Sequence, residues 1–235
     1  MGLLNHTRIT IATLLEKKLK QPIILGTGPS LAGDADLIRE LHADGRVMLF
    51  GINDTYRDFN LDVWIACDPA WHNHRGKIDI PYCDQWHWDK DICQRGGYEH
   101  IEGVWKDGMG LWTKDTSKIT LGHSSGWQAL NLAHHYVTWG LCSGPILLCG
   151  YDMTYRPGEP RHYFKGVSET AGEYDKVLRK WSLFDKAPQG KPGEGLLFNY
   201  KDIADQTDRH EIINCTPRSA MRWFPVQDLR GQMVQ

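Results

Sequence analysis

No stretch of this sequence approaches the run of about eighteen apolar residues that a membrane span requires. A signal-peptide pattern is also missing. The run from Ile9 to Leu15 is broken by Thr10 and Thr13, and Glu16, Lys17, Lys18 and Lys20 follow at once. These two absences make a cytoplasmic location the expectation. There is no basic excess either: 27 Lys and Arg stand against 29 Asp and Glu, a formal charge of −2. A chain so balanced has little with which to neutralise a phosphate backbone, which excludes nucleic acid as the main partner. The six cysteines form no CxxC pair, and a chain of this length has the core to do without a disulfide framework. Internal repeats and low-complexity tracts are lacking as well.

What is present is an alternation of short apolar runs with helical patterns, the signature of a parallel α/β sheet. Strands are expected at Pro22–Leu25, Val47–Ile52, Val63–Cys67, Ile146–Cys149 and Glu211–Asn214. The clearest helix runs from Ser125 to Trp139, where Ala129, Leu132, Ala133, Tyr136 and Val137 recur at helical spacing behind a Ser124 or Ser125 cap. A second helix is expected from Glu169 to Phe184, and a short basic-faced helix within residues 1–20. Between about 70 and 120 the periodicity fades into aromatic, His- and Gly-rich sequence, read as an irregular insertion of loops with short strands. Ten tryptophans are many for this length. Trp71, Trp86, Trp88, Trp105 and Trp112 fall in polar surroundings; most are read as core or loop-packing residues, with one or two lining a ligand cleft.

The segment Pro22-Ile23-Ile24-Leu25-Gly26-Thr27-Gly28-Pro29-Ser30-Leu31 joins a strand to a helix through a glycine turn. Backbone N–H groups at such a helix start suit an anion, so the turn reads either as a nucleotide-phosphate loop or as an ordinary strand-to-helix turn. Gly26 and Gly28 are expected to supply positive φ or close backbone approach. Pro29 suits a first helical turn, and Ser30 either caps it or donates its hydroxyl to a phosphate. The other strand-like runs end similarly, in Gly51-Ile52-Asn53-Asp54, Cys67-Asp68-Pro69 and Gly150-Tyr151-Asp152. In α/β sheets ligands sit beyond the carboxyl ends of the strands, so these termini are expected to converge on one polar cleft.

These motifs come in one order. Gly26-Thr27-Gly28-Pro29-Ser30-Leu31 is followed by Asn53, then by Ser124-Ser125-Gly126-Trp127-Gln128-Ala129-Leu130, then by Leu148-Cys149-Gly150-Tyr151-Asp152-Met153. That order resembles the bacterial sialyltransferases of glycosyltransferase family 42. It also resembles their relatives, the hydroxymethylpterin pyrophosphokinase-like proteins and small phage-encoded members, the last being most similar. Ile213-Asn214-Cys215-Thr216-Pro217-Arg218-Ser219 is similar to the family's last strand and Ser-containing turn. The resemblance implies a metal-independent transfer from a CMP-sugar to a glycan or small-molecule acceptor, with no cofactor besides the donor. It implies donor contacts from Gly28, Pro29, Ser30, Asn53, Ser125 and Gly126, a phosphate-gripping Tyr155 and a general base at His162. Thr27 stands where those enzymes carry Asn. For a phage-encoded chain the cytoplasm would be the host's.

On their own chemistry the same positions carry alternatives. His162, in Arg161-His162-Tyr163-Phe164, is either a base near neutral pH or a loop histidine packed among aromatics. Asp152 orients a ribose or base, or caps a helix; Asn53 reads a nucleoside, or caps the turn at Asp54. Asp68 binds a ribose hydroxyl or Mg²⁺, or starts a turn before Pro69. An ATP- and Mg²⁺-dependent pyrophosphoryl transfer would draw on Asp54, Asp68 and Asp152. The third possibility is a nucleotide- or sugar-binding accessory protein without turnover. Asp34-Ala35-Asp36 matches a metal-binding pair in spacing alone, and His72, His74, His87, Cys83 and Cys93 lack zinc-site spacing. No metal site is expected.

The expectation is therefore a single Rossmann-like nucleotide-binding domain over residues 1–235, with a mostly parallel sheet (a GT-A-like variant) and an insertion at 70–120. Its catalytic candidates are His162, Asp152 and Tyr155. Its nucleotide-binding candidates are Gly26, Thr27, Gly28, Pro29, Ser30, Asn53, Asp68, Ser124, Ser125 and Gly126.

Overall fold

Strand β1 (Gln21–Leu25) is buried on both faces, and its alternation fixes the layers of the fold. Ile23 and Leu25 join one hydrophobic cluster, while Ile24 between them joins the other. The computed structural model describes residues 19–104, 110–121, 124–153, 163, 196–207 and 211–233. Helix α1 (Leu31–Ala43) covers the first face, burying Leu31, Ala35, Ile38 and Leu41 at helical spacing. It stops at Asp44-Gly45, where Gly45 turns the chain at φ +69. β2 (Val47–Ile52) and β3 (Val63–Ile65) then extend the sheet in parallel.

Helix α2 (Pro69–Arg75) opens on proline, which suits a first helical turn. β4 (Asp84–His87), α3 (Lys90–Gly96) and β5 (Glu99–His100) continue the winding. β6 (Glu102–Val104) and β7 (Lys118–Thr120) pair separately as a two-stranded parallel sheet. Helix α4 (Ser125–Thr138) covers the second face, packing on β1, β2, β3, β7 and β8. β8 (Ile146–Cys149) returns beside β1, with Ile23 opposite Leu147. Helix α5 (Leu196–Ala204), β9 (Ile212–Asn214) and helix α6 (Leu229–Met233) complete the described elements.

The main sheet runs β5-β4-β3-β2-β1-β8-β9 with every neighbouring pair parallel. The chain winds outward from β1 to β5, then crosses back to lay β8 and β9 on the opposite side of β1. Strand order reverses between β1 and β8, the place in such sheets where ligands sit beyond the carboxyl ends. The fold class is thus the α/β one expected from the alternation of runs. No helix among the described residues is long and apolar enough to cross a membrane.

The short strands expected between 70 and 120 are present, and two of them, β4 and β5, join the main sheet and are not confined to an insertion. Part of this stretch's aromatic set packs into the core, while Trp71, Trp86, Trp88 and Trp112 stay half-buried and Tyr82 is fully exposed. Trp64 is fully buried and touches Trp71, His72 and Tyr98 at ring-centroid distances of 5.7, 5.8 and 5.6 Å. His72 and His87 are buried with it, their rings 4.7 Å apart and edge-on. Trp105 and the expected helices at 1–20 and 169–184 lie outside the described residues.

Candidate functional site

At the reversal between β1 and β8 the two strand ends are knitted together. Gly26 N donates to Cys149 O at 2.7 Å and Gly28 N to Gly150 O at 2.9 Å. Neither Gly26 nor Gly28 adopts positive φ; glycine is needed for close approach. A Cβ on Gly26 would lie 2.4 Å from Gly150 O, and one on Gly28 would lie 1.9 Å from Asp152 Oδ2. Gly150 itself sits at φ +74 and supplies the reciprocal turn.

Ser30 does not cap its own helix. Its hydroxyl donates to Asp152 Oδ2 at 2.7 Å and its backbone N–H to the same oxygen at 3.3 Å. Asp152 is 4% exposed. A carboxylate from 122 residues away therefore occupies the positive end of α1, where an anion is favoured. Leu31, Ala32 and Gly33 donate to carbonyls three residues back, so tight turns begin the helix from Gly28 and Pro29 onward.

Asp152 is held from behind by the segment after β9. Thr216 Oγ1 accepts from Tyr151 N at 2.8 Å and donates to Leu148 O at 3.3 Å. Ser219 Oγ donates to Tyr151 O at 2.6 Å, and Ala220 N donates to Asp152 O at 2.9 Å. The Thr216-Pro217-Arg218-Ser219 turn is a clamp on the end of β8. Its serine and threonine were visible in the sequence, but their partners were not.

A second cluster joins the ends of β2 and β3 to the start of α4. Asn53 holds φ +46, a left-handed conformation that asparagine tolerates better than most residues. Its carbonyl accepts from Trp64 Nε1 at 2.9 Å, and its side-chain Oδ1 accepts the Ser125 hydroxyl at 2.9 Å. Ser125 Oγ in turn accepts from Cys67 N at 3.0 Å. With Oδ1 engaged, the Nδ2 donors of Asn53 have no partner among the described residues. Burial pushes the Cys67 thiol up to about 12, so it is no nucleophile at neutral pH.

Ser124 caps α4, accepting from Trp127 N at 3.2 Å, and its hydroxyl meets Tyr200 OH at 3.3 Å. Tyr151 OH donates to Gly126 O at 3.1 Å, which ties this first turn to the end of β8. A Cβ on Gly126 would sit 3.0 Å from Tyr200 OH and 3.1 Å from the Tyr151 ring. Burial raises both tyrosines well above their ordinary range, so they stay neutral.

The remaining candidates divide. Thr27 contributes its carbonyl, which accepts from Tyr163 N at 2.9 Å. Asp68 immediately precedes Pro69 at the head of α2, and its carbonyl accepts from His72 N at 3.2 Å. His162 and Tyr155 lie outside the described residues; His162 adjoins Tyr163 in the chain. Asp54 is buried against Arg75, with Nη2 3.1 Å from Oδ1. Asp54, Asp68 and Asp152 are not brought together as a Mg²⁺ reading needs. Among the described residues no three His, Cys, Asp or Glu side chains are disposed to hold a metal ion. Asp36 pairs with Arg39 at 2.8 Å on an exposed turn of α1.

No family model matches the sequence, and no curated protein matches it. Among solved structures the chain is similar to the MAf glycosyltransferase from Magnetospirillum magneticum AMB-1, with a TM-score of 0.49 and 13% identity. The likeness covers 94% of this chain and 35% of that one, so the chain spans about a third of that enzyme's length.

Proposed function

We propose that the chain is a nucleotide-dependent transferase of the sialyltransferase kind, acting on a CMP-sugar whose nucleotide lies along the carboxyl edge of β1–β3. The observation that carries this reading is the fixed amide of Asn53. Ser125 and Trp64 hold it at the end of β2, with Nδ2 left as a donor beside the first turn of the 14-residue helix α4. An amide donor next to a helix N-terminus suits a phosphate or a pyrimidine carbonyl. The order of motifs shared with the bacterial sialyltransferases supports the same assignment.

On this reading the phosphate rests at α4, and the glycine turn forms the wall of the cleft. The donors of Gly28 and Ser30 already serve Gly150 O and Asp152, and a phosphate set there would face the Asp152 carboxylate at short range. Asp152 Oδ2 is engaged by Ser30, which leaves Oδ1 as an acceptor for a ribose hydroxyl. The acceptor oxygen forms its bond to the anomeric carbon of the donor sugar as the bond from that carbon to the phosphate oxygen breaks. CMP leaves with the electron pair, and the acceptor's proton passes to His162. The first turn of α4, with Tyr155, stabilises the charge that develops on the departing phosphate.

Turnover of CMP-sugars is the test, with CMP release followed in EDTA. Activity should persist without divalent metal. His162→Ala should lower it by about 10²-fold or more while leaving CMP affinity unchanged. Product formed only from ATP with Mg²⁺ would replace this reading with pyrophosphoryl transfer, and CMP binding without turnover of any donor would make the chain a binding protein.

A further inference from the structure

Farther along the same carboxyl edge, beyond β4 and β5, lies a depression of about 400 Å³, within the ~300–1,000 Å³ usual for small-molecule sites. One wall is Trp88. Its indole Nε1 donates to Cys67 O at 3.1 Å, and its plane lies within 21° of the His87 ring. Cys67 is also the residue whose backbone N–H reaches Ser125, so an unbroken chain of hydrogen bonds runs from Asn53 through Ser125 and Cys67 to Trp88. The Trp88 wall is thus tied by hydrogen bonds to the residues of the proposed nucleotide cleft.

The rest of the lining is mixed, with three carboxylates. Asp89, Asp91 and Glu102 contribute carboxylates, set against Lys90 and the imidazole of His100. Much of this acceptor capacity is open. Asp89 uses Oδ1 to cap α3, accepting from Asp91 N at 2.9 Å and Ile92 N at 3.1 Å, and its other oxygen is left over. Glu102 meets Lys118 Nζ through Oε1 at 2.9 Å. The Asp91 carboxylate has no partner among the described residues. A fixed indole beside several carboxylate oxygens matches a sugar ring, whose C–H face packs on the aromatic plane while its hydroxyls donate to the acids. With Lys90 and the Lys118 that pairs with Glu102 counted against the three carboxylates, one negative charge remains in excess, centred on Asp89 and Asp91, and it opposes a ligand bearing a carboxylate or phosphate there.

We propose that this cavity is the acceptor subsite, and that it takes a hydroxyl-rich sugar ring carrying no negative charge. The assignment rests on the transferase reading above for its role, but the binding it predicts does not depend on turnover. The probes are a methyl galactoside and the corresponding methyl galacturonide, titrated by saturation-transfer NMR on the full chain with and without CMP. The uncharged glycoside should bind, and the galacturonide should bind about tenfold more weakly or not at all. Trp88→Ala should weaken the uncharged glycoside by about tenfold, and Trp88→Phe should restore most of that loss. Asp91→Lys, an exposed change that leaves the indole in place, should narrow the gap between the two probes. Equal or tighter binding of the galacturonide would overturn the proposal. So would glycoside binding indifferent to Trp88, or no binding in either condition. CMP titrations of the same samples separate the two ideas: glycoside binding without CMP binding sinks the nucleotide reading and with it the acceptor role, leaving the sugar site standing, and the converse sinks only this proposal.

Discussion

Gly28 packs directly against Asp152 where β1 meets β8. Replacing Gly28 with alanine would set a Cβ 1.9 Å from Asp152 Oδ2 and 2.5 Å from Gly150 O. The expected cost is about 1–3 kcal/mol, because strand end and carboxylate must part to make room. Urea unfolding of Gly28→Ala against the parent chain checks this, and an unchanged midpoint would mean the turn is looser than described. Asn53 bears on binding. Asn53→Ala removes the Nδ2 donors and also asks alanine to hold φ +46, so Asn53→Gly, which tolerates that backbone, is the cleaner probe. It should weaken CMP by about tenfold, the size of one hydrogen bond to a charged group, and lower stability by about 1 kcal/mol because the buried Ser125 hydroxyl loses its acceptor. At this scale the sequence showed half of each pair. The glycine turn stands out because its residues are adjacent, whereas Asp152 reaches Ser30 across 122 positions and nothing local announces that meeting.

Among the elements, α2 and β4 share a buried histidine pair that should make folding sensitive to pH. His87 Nδ1 accepts from Asp89 N at 2.8 Å, which places the ring proton on Nε2, an atom with no partner among the described residues. Burial, and then the neighbouring His72, push the His87 pKa down to about 4, with Asp89 opposing and His100 adding slightly. His72 is shifted in the same direction, chiefly by burial. In the unfolded chain these rings titrate near 6.5, so the unfolded state binds more protons between about pH 6.5 and 4. Stability is therefore complete above pH 6.5 and declines as pH falls toward 4, by about 3 kcal/mol for His87 alone. Urea midpoints at pH 7 and pH 4.5 measure the slope, and His87→Gln should flatten it. A slope that His87→Gln leaves unchanged would assign the acid sensitivity to other groups.

The elements also explain what was legible. β1, β2 and β8 read clearly because central parallel strands are buried on both faces and so are apolar throughout. β4 reads Asp-Gln-Trp-His, and β5 is two residues long near the sheet margin. Such strands carry little apolar signal, and their neighbours bury histidine and tryptophan where aliphatic residues are usual. Helix α4 was visible over its full length, Ser125–Thr138. Its cap is expected to matter: Ser124→Ala should cost about 1 kcal/mol and loosen the turn against which a phosphate is proposed to rest.

Considered whole, the molecule is organised by the reversal of strand order at β1. Two layers of helix bury the sheet, and the carboxyl ends gather Asn53, Ser125, Gly126, Asp152 and Trp88 onto one edge. The clamp after β9 and the Tyr151–Gly126 bond tie that edge into one piece, so a ligand spanning it would be felt across the whole fold. Binding confined to the folded state stabilises by mass action, about 2.7 kcal/mol at a hundredfold excess over Kd. The most direct measurement is thermal unfolding of the full chain with increasing CMP in EDTA, beside Asn53→Gly under the same conditions. The transferase reading predicts a Tm that rises with CMP without metal, and a markedly smaller rise in the variant. A Tm indifferent to CMP, or a rise that Asn53→Gly does not diminish, would contradict it.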